Sequence, residues 1–254
     1  MTATSAGAEP IAIIGLAVRV PGANDPVTFW RNLVDGVESV RQLSREELLA
    51  RDVSTTMLDD PSFVPVSAVL DDVEYFDAGL FGMSAREADI ADPQHRIFLE
   101  QAHAALVDAG YDPARYPGEI GVYAGSGAAD YQWLNVRANP RAHAGAGELS
   151  LSIGNHPDYV ATNVSYRLNL RGPSLTLHTA CSSSLVALHL ACEALRGGEC
   201  DMALAGGVCV DLPYGVGYLG SDGFLSPDGH CRPLTPEPTA RCGAAGPGSF
   251  FSSV

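Results

Sequence analysis

The chain has 254 residues, 46% hydrophobic and 18% charged, enough apolar side chain to bury one large domain or two small ones and too much for a disordered polypeptide. Its formal charge of −15 excludes a surface built for nucleic acid or an anionic membrane, since either needs clustered cations against phosphate. No basic, apolar leader precedes Pro10 and no later run has the length to cross a bilayer, so the chain reads as cytoplasmic.

Residues 1–9 read as a flexible N-terminus. Residues 11–15 (IAIIG) form a continuous apolar run closed by glycine, the pattern of a short strand buried on both faces. After turn residues at 21–26, Phe29, Trp30 and Leu33 recur at helical spacing and the segment stops near Gly36. Residues 41–72 show no clear period and read as loop with short helices. From Asp92, DPQHRIFLEQAHAALVDAG places Phe98, Ala102, Ala105, Leu106 and Ala109 on one helical face, between an Asp-Pro start and a stop at Gly110. IGVYA at 120–124 reads as a strand entering Gly125-Ser126-Gly127. That trio is half of a phosphate-binding loop without its third glycine and reads as a structural turn. Residues 174–178 (SLTLH) alternate like a strand. Residues 182–195 set Leu185, Leu188, Cys192 and Leu195 on one helical face before Gly197-Gly198, and 202–210 (MALAGGVCV) read as a buried strand. Strands alternating with helices predict an α/β fold with a largely parallel sheet.

All six cysteines lie in the C-terminal third without CxxC spacing or a paired His motif, so the thiols read as reduced and no zinc or redox site is indicated. The Asn-Val-Ser at Asn163 is then a chance sequon. Cys181 stands at a turn between a strand and a helix, among the small residues Ala180, Ser182, Ser183 and Ser184. At a helix mouth, free backbone N–H groups favour a thiolate and can also donate to the oxyanion formed when it attacks a thioester. A Cys that packs as a small core residue satisfies the same local pattern.

The run GPSLTLHTACSSSLVALHLACEALRGGECDMALAGGV, residues 172–208, closely resembles the active-cysteine segment of β-ketoacyl synthases, in particular those of modular type I polyketide synthases. The resemblance continues in IAIIGLAVRVPGA (11–23), in FDAGLFGMSAREADIADPQHRIFLEQAHAALVDAGYDP (76–113) and in LSPDGHCRP (225–233). It implies a thiolase-like layered αβαβα fold represented mainly by its N-terminal half, with residues 10–234 as the synthase N-terminal region. It also implies a homodimer formed around the nucleophile strand.

On this resemblance Cys181 is the catalytic nucleophile. It takes an acyl chain from an acyl carrier protein, and a carbanion from a decarboxylated malonyl-type extender then attacks the acyl-enzyme. No cofactor or metal is implied for the domain itself; the substrates ride on the carrier's phosphopantetheine. The family's His-Gly-Thr-Gly-Thr and Asn-x-Gly-His motifs serve the second stage, and none of the seven histidines of this sequence falls in either. His178 stands where an acidic residue is more usual and reads as a tolerated substitution. His95 and His189 read as packing or hydrogen-bonding residues.

Resemblance ends near Leu234. Residues 235–254 read as a non-family, disordered tail, and GC-rich codons shifted in frame turn it into a Gly-rich turn followed by Val-Val-Leu-Leu. A one-base loss that truncates the enzyme is the expectation, leaving a chain unable to complete condensation. Two alternatives are a split-subunit or scaffold fragment that docks a separate C-terminal half, and a Cys-dependent acyl hydrolase.

Overall fold

A computed structural model describes residues 9–144, 147–220 and 225–231; the expectation for the 235–254 tail lies outside them, as do residues 1–8 of the expected flexible N-terminus. In chain order the elements are α1 (Pro26–Val34), β1 (Arg41–Gln42), α2 (Arg45–Ala50), α3 (Thr55–Leu58), β2 (Phe63–Val64), β3 (Val66–Ser67), α4 (Ala85–Ile90) and α5 (Pro93–Asp108). There follow β4 (Ile120–Ser126), a π-helical turn (Gln132–Arg137), α6 (Pro140–His143), α7 (Glu148–Asn155), a 3₁₀ turn (Pro157–Tyr159) and α8 (Val160–Leu168). The region around Cys181 comprises β5 (Ser174–Leu177), α9 (Ser183–Gly197) and β6 (Met202–Val208), with β7 (Tyr218–Leu219) beyond it.

The sheet that organises the molecule is parallel, in the order β5-β4-β6, with Gly125 paired to Leu177 on one side and Gly207 on the other. Alternate residues of its central strand face opposite layers. Val122 and Ala124 of β4, with Leu204 and Val208 of β6, pack against Phe98, Leu99, Ala102 and Leu106 of α5 and Val160 and Val164 of α8. Tyr123 and Ala205 face the other way, onto Ala187, Ala191 and Ala194 of α9. This is the α/β arrangement expected of strands that read as near-continuous apolar runs. Helix α5 begins where the sequence places it: Asp92 accepts the Gln94 N–H at 2.8 Å and Pro93 opens the first turn. It ends before Gly110, whose φ of 77° suits glycine.

The 41–72 region forms its short helices together with two small antiparallel pairs, β1–β3 and β2–β7, over a cluster of Leu43, Leu48 and Val53. The LSPDGHC stretch is tied there too, since the Tyr218 hydroxyl donates to the Ser226 carbonyl at 2.7 Å.

Two expectations are corrected. Residues 11–15 form no strand, and Ile13 and Ile14 are 80% and 51% exposed. A strand needs a partner for its N–H and C=O groups, and among the described residues none lies beside this segment. It runs instead against the C-terminal turn of α5, where a Cβ on Gly15 would stand 2.3 Å from the Ala105 carbonyl oxygen and the Leu16 N–H donates to Asp108 at 2.9 Å. The second correction concerns α9, whose buried face is made of Ser183, Ala187, Ala191 and Ala194, while Leu185 and Leu188 are exposed. Helical period located a leucine face correctly, but the sheet takes the small face because it allows a closer approach. Likewise α1 forms as read, yet Trp30 and Leu33 are exposed.

Replacing Ala187 by Leu is expected to cost about 1–3 kcal/mol through overpacking, whereas Leu185→Ala should stay within about 0.5 kcal/mol. Urea denaturation of the two variants checks this, and the reverse order would put the leucine face in the core.

Candidate active site

Cys181 lies just past the C-terminal end of β5, at the edge of the parallel sheet where the carboxyl ends of all three strands converge. In open α/β sheets this edge is where ligands bind. The Cys181 side chain is exposed, unlike the buried Cys200. Its immediate predecessor, Ala180, adopts φ 54°, a left-handed conformation that costs a non-glycine residue about 1–3 kcal/mol.

Two serines stabilise that turn. The Ser182 hydroxyl donates to the Thr179 carbonyl at 2.7 Å, and the Ser183 hydroxyl donates to the Ala180 carbonyl at 2.8 Å while accepting the Thr179 N–H at 2.9 Å. Ser183 is 8% exposed, so its bonds form out of water and lock the turn rather than decorate it. No side chain caps α9, whose N-cap residue is Ser182. The Ser183 N–H donates to the Ala180 carbonyl at 3.1 Å, whereas among the described residues the N–H groups of Ser184 and Leu185 are bonded to no acceptor and remain available as donors at the thiol's end of the helix.

The seat for this turn is built from glycine. A Cβ on Gly125 would meet the Ser183 Cβ at 2.6 Å, and one on Gly207 would meet the Ser184 Cβ at 3.0 Å. Gly125, Ser126 and Gly127 thus serve close packing, with the first two inside β4 rather than in a separate turn. A Cβ on Gly127 would stand 2.7 Å from the Cys209 sulfur and 2.8 Å from the Gln94 carboxamide oxygen.

Beneath the same edge sits a buried polar group, the DPQH start of α5, of which sequence reasoning singled out the Asp92 helix start and His95 but not Gln94. Asp92, Gln94 and His95 are 2%, 3% and 3% exposed. Gln94 donates to the Ala128 carbonyl at 2.9 Å and accepts the N–H groups of Gly127 at 2.8 Å and Val210 at 3.4 Å. The available signal was a run of five polar or turn residues, Asp92 to Arg96, heading a helix that continues with Ile97, Phe98 and Leu99. Burial raises the Asp92 carboxyl to about 6, its bond from the Gln94 N–H opposing the shift. Burial lowers His95 to about 4, and neither ring nitrogen has a hydrogen-bond partner among the described residues. His95 is therefore buried and held toward its neutral form, the His156 backbone opposing the shift.

His178 directly precedes the Thr179–Cys181 turn, His189 lies on α9, and Cys209 adjoins Gly127. His178 and His189 are not buried, and the exposure of His189 removes the packing role expected for it. Burial first, and then the Asp211 carboxylate 3.1 Å away, push the Cys209 thiol well above the ordinary thiol range. The five described cysteines are all free thiols. Among the described residues no group of three or more His, Cys, Asp or Glu is disposed to hold a metal ion, and no helix is long and apolar enough to cross a membrane.

The family model for the β-ketoacyl synthase N-terminal domain matches residues 8–248. The chain belongs to the β-ketoacyl synthase family. It is 48% identical over 231 residues to a phenolphthiocerol/phthiocerol polyketide synthase of Mycobacterium tuberculosis, covering 88% of this chain and 16% of that protein. It is 41% identical to polyketide synthase GfsA of Streptomyces halstedii over 89% of this chain and 3% of that protein. Among solved structures, ketosynthase twelve of the Bacillus amyloliquefaciens bacillaene polyketide synthase superposes with a TM-score of 0.77 at 32% identity, covering 87% of this chain and 38% of that one. The seventh ketosynthase domain of the oxazolomycin OzmH protein of Streptomyces albus gives 0.71 at 38% identity, with 86% and 38% covered. The chain thus spans well under half of the ketosynthases it superposes on, and it corresponds to the N-terminal part of ketosynthases of polyketide synthase type, with their thiolase-like fold.

The opposed shifts of Asp92 and His95 have a measurable consequence. Between about pH 4 and 6 the folded state holds a proton on Asp92 that the unfolded state releases, so this group favours folding as pH falls. Over about pH 4 to 6.5 the unfolded state binds a proton at His95 that the folded state refuses, so this group disfavours folding as pH falls. In the shared window the two nearly cancel. Relative to the unaltered chain, His95→Gln is expected to gain stability and Asp92→Asn to lose it as pH falls from 6 to 4, each by about 1.4 kcal/mol per pH unit at most. Denaturant midpoints measured across that range read both slopes.

Proposed function

We propose that Cys181 accepts the growing acyl chain in a polyketide ketosynthase reaction. The observation that carries this reading is an exposed thiol at the uncapped mouth of α9, on the carboxyl edge of the parallel sheet, in a turn held open by Ser182, Ser183 and a left-handed Ala180. The Cys181 sulfur attacks the carbonyl of an acyl thioester on a carrier protein's phosphopantetheine. The new C–S bond forms, the carrier C–S bond breaks, and the carrier thiol leaves with the proton given up by Cys181. N–H groups of the first α9 turn are placed to receive the negative charge that develops on the carbonyl oxygen.

In the second stage the malonyl-type extender loses carbon dioxide, its carbanion attacks the acyl carbonyl, the acyl C–S bond to Cys181 breaks, and the departing thiolate takes a proton from solvent, giving a β-ketoacyl thioester and restoring the Cys181 thiol. Neither histidine motif of the family occurs in these 254 residues, so we assign this stretch the first stage and assign the second to a complete ketosynthase. The acyl carrier protein is the proposed partner. A homodimer through β5 is supported by that strand's position at an edge of the sheet, paired only with β4 among the described residues, and by the 47% exposure of Leu175.

The exposed apolar residues Ile13, Ile14, Leu185 and Leu188 favour a second reading alongside the first, in which this chain docks a separately supplied C-terminal half. Co-expression with such a half then restores decarboxylative condensation; two halves that stay apart and inactive count against it.

Incubation with an acyl phosphopantetheine thioester is expected to add one acyl group, located at Cys181 by peptide mass mapping, with no free acid released. Cys181→Ala should reduce acylation at least about 100-fold, in line with loss of a nucleophile. Acylation that persists in the variant, or maps to another cysteine, defeats the assignment, and steady release of free acid would favour a hydrolase.

A further inference from the structure

The carboxamide of Gln94 is buried at the carboxyl edge of the sheet and takes no part in the acyl transfer described above. Its bonds join two strands where their own ladder runs out. The last β4–β6 pair is Ser126 with Val208. Just past it, the Gly127 N–H is shared between the Val208 carbonyl at 2.9 Å and Gln94 Oε1 at 2.8 Å. The same oxygen receives the Val210 N–H at 3.4 Å, and Nε2 donates to the Ala128 carbonyl at 2.9 Å and to Asp92 Oδ2 at 3.5 Å. One amide thereby bonds backbone groups of both strand extensions at once.

Those extensions lead directly back to the nucleophile. Gly125 and Gly207, which seat Ser183 and Ser184, lie two residues before Gly127 and three before Val210 respectively. A change in the spacing of β4 and β6 at their ends moves the seat, and the α9 mouth moves with it. Glutamine suits the task because one planar group both accepts and donates at the required reach. Methionine matches its length but offers neither bond, and glutamate keeps the acceptor while placing a second carboxyl beside Asp92.

We propose that Gln94 is a positioning residue for Cys181, clamping the ends of β4 and β6 so that the glycine seat holds the thiol and the α9 N–H groups in register for thioester attack. This rests on the reading of Cys181 as nucleophile.

The test compares the full chain with its Gln94→Met variant in two reactions at Cys181. Acylation by an acyl phosphopantetheine thioester needs the thiol and the N–H donors aligned on one carbonyl, whereas alkylation by iodoacetamide needs an accessible thiol alone. Acylation is expected to slow about 10- to 100-fold, as for a displacement near 1 Å, with alkylation changed by less than about twofold. Amide hydrogen exchange at Gly127 and Val210 should accelerate in parallel.

A Gln94 that serves stability alone would leave both reactions unchanged below the unfolding transition, or slow them equally, and either outcome overturns the proposal. Should Gln94→Met fail to fold, Gln94→Ala, which also removes both bonds, carries the same comparison: selective loss of acylation supports the clamp and parity rejects it. If the unaltered chain takes no acyl group on Cys181, the nucleophile reading falls and the positioning role falls with it. Normal acylation of the unaltered chain with an indifferent Gln94→Met defeats the positioning role alone.

Discussion

The first turn of α9 rests directly on backbone, because Gly125 and Gly207 leave no side chain between it and the sheet. From that contact follows the alanine face of the helix, which continues the same close approach along its length at Ala187, Ala191 and Ala194. From it also follows the exposure of Cys181: with Ser183 pressed against β4, the residue two positions earlier is carried out over the edge of the sheet. The strained φ of Ala180 is the local cost of turning the chain from the end of β5 onto that seat, and the buried hydroxyl bonds of Ser183 offset it.

The polar cluster at the head of α5 belongs to the same construction. Helix α5 packs against the opposite layer of the sheet from α9, yet its first turn reaches the ends of β4 and β6 through Gln94. Burial there pushes the Asp92 carboxyl up and the His95 imidazole down, and these opposed shifts keep the site from becoming a strong pH switch. The sheet edge is thus fixed from both faces, by glycine packing on one and by a carboxamide on the other.

The exposed apolar side chains have a consistent distribution. Ile13 and Ile14, the leucine face of α9 and Trp30 of α1 all read from sequence as residues to be covered, and in this chain they are open. The chain covers 38% of the length of its ketosynthase neighbour. Surfaces suited to burial but left uncovered accord with the portion of the fold that this stretch represents.

The sequence by itself determined the α/β class, the positions of α5, β4, β5, α9 and β6, and the candidacy of Cys181, because period, Asp-Pro and Gly boundaries and a long motif are local properties of the chain. It also located the leucine stripe of α9 without saying which face of the helix meets the sheet. Only the tertiary structure decided which helical face meets the sheet, because closeness of approach depends on glycines in strands 58 and 24 residues away, Gly125 and Gly207, as counted from Ser183. The same holds for residues 11–15, whose apolar pattern fits a strand but cannot supply the neighbour that a strand requires. Gln94 was the least legible of all, since its meaning lies in N–H groups of Gly127 and Val210 that are far from it in sequence and adjacent to it only once the sheet has formed.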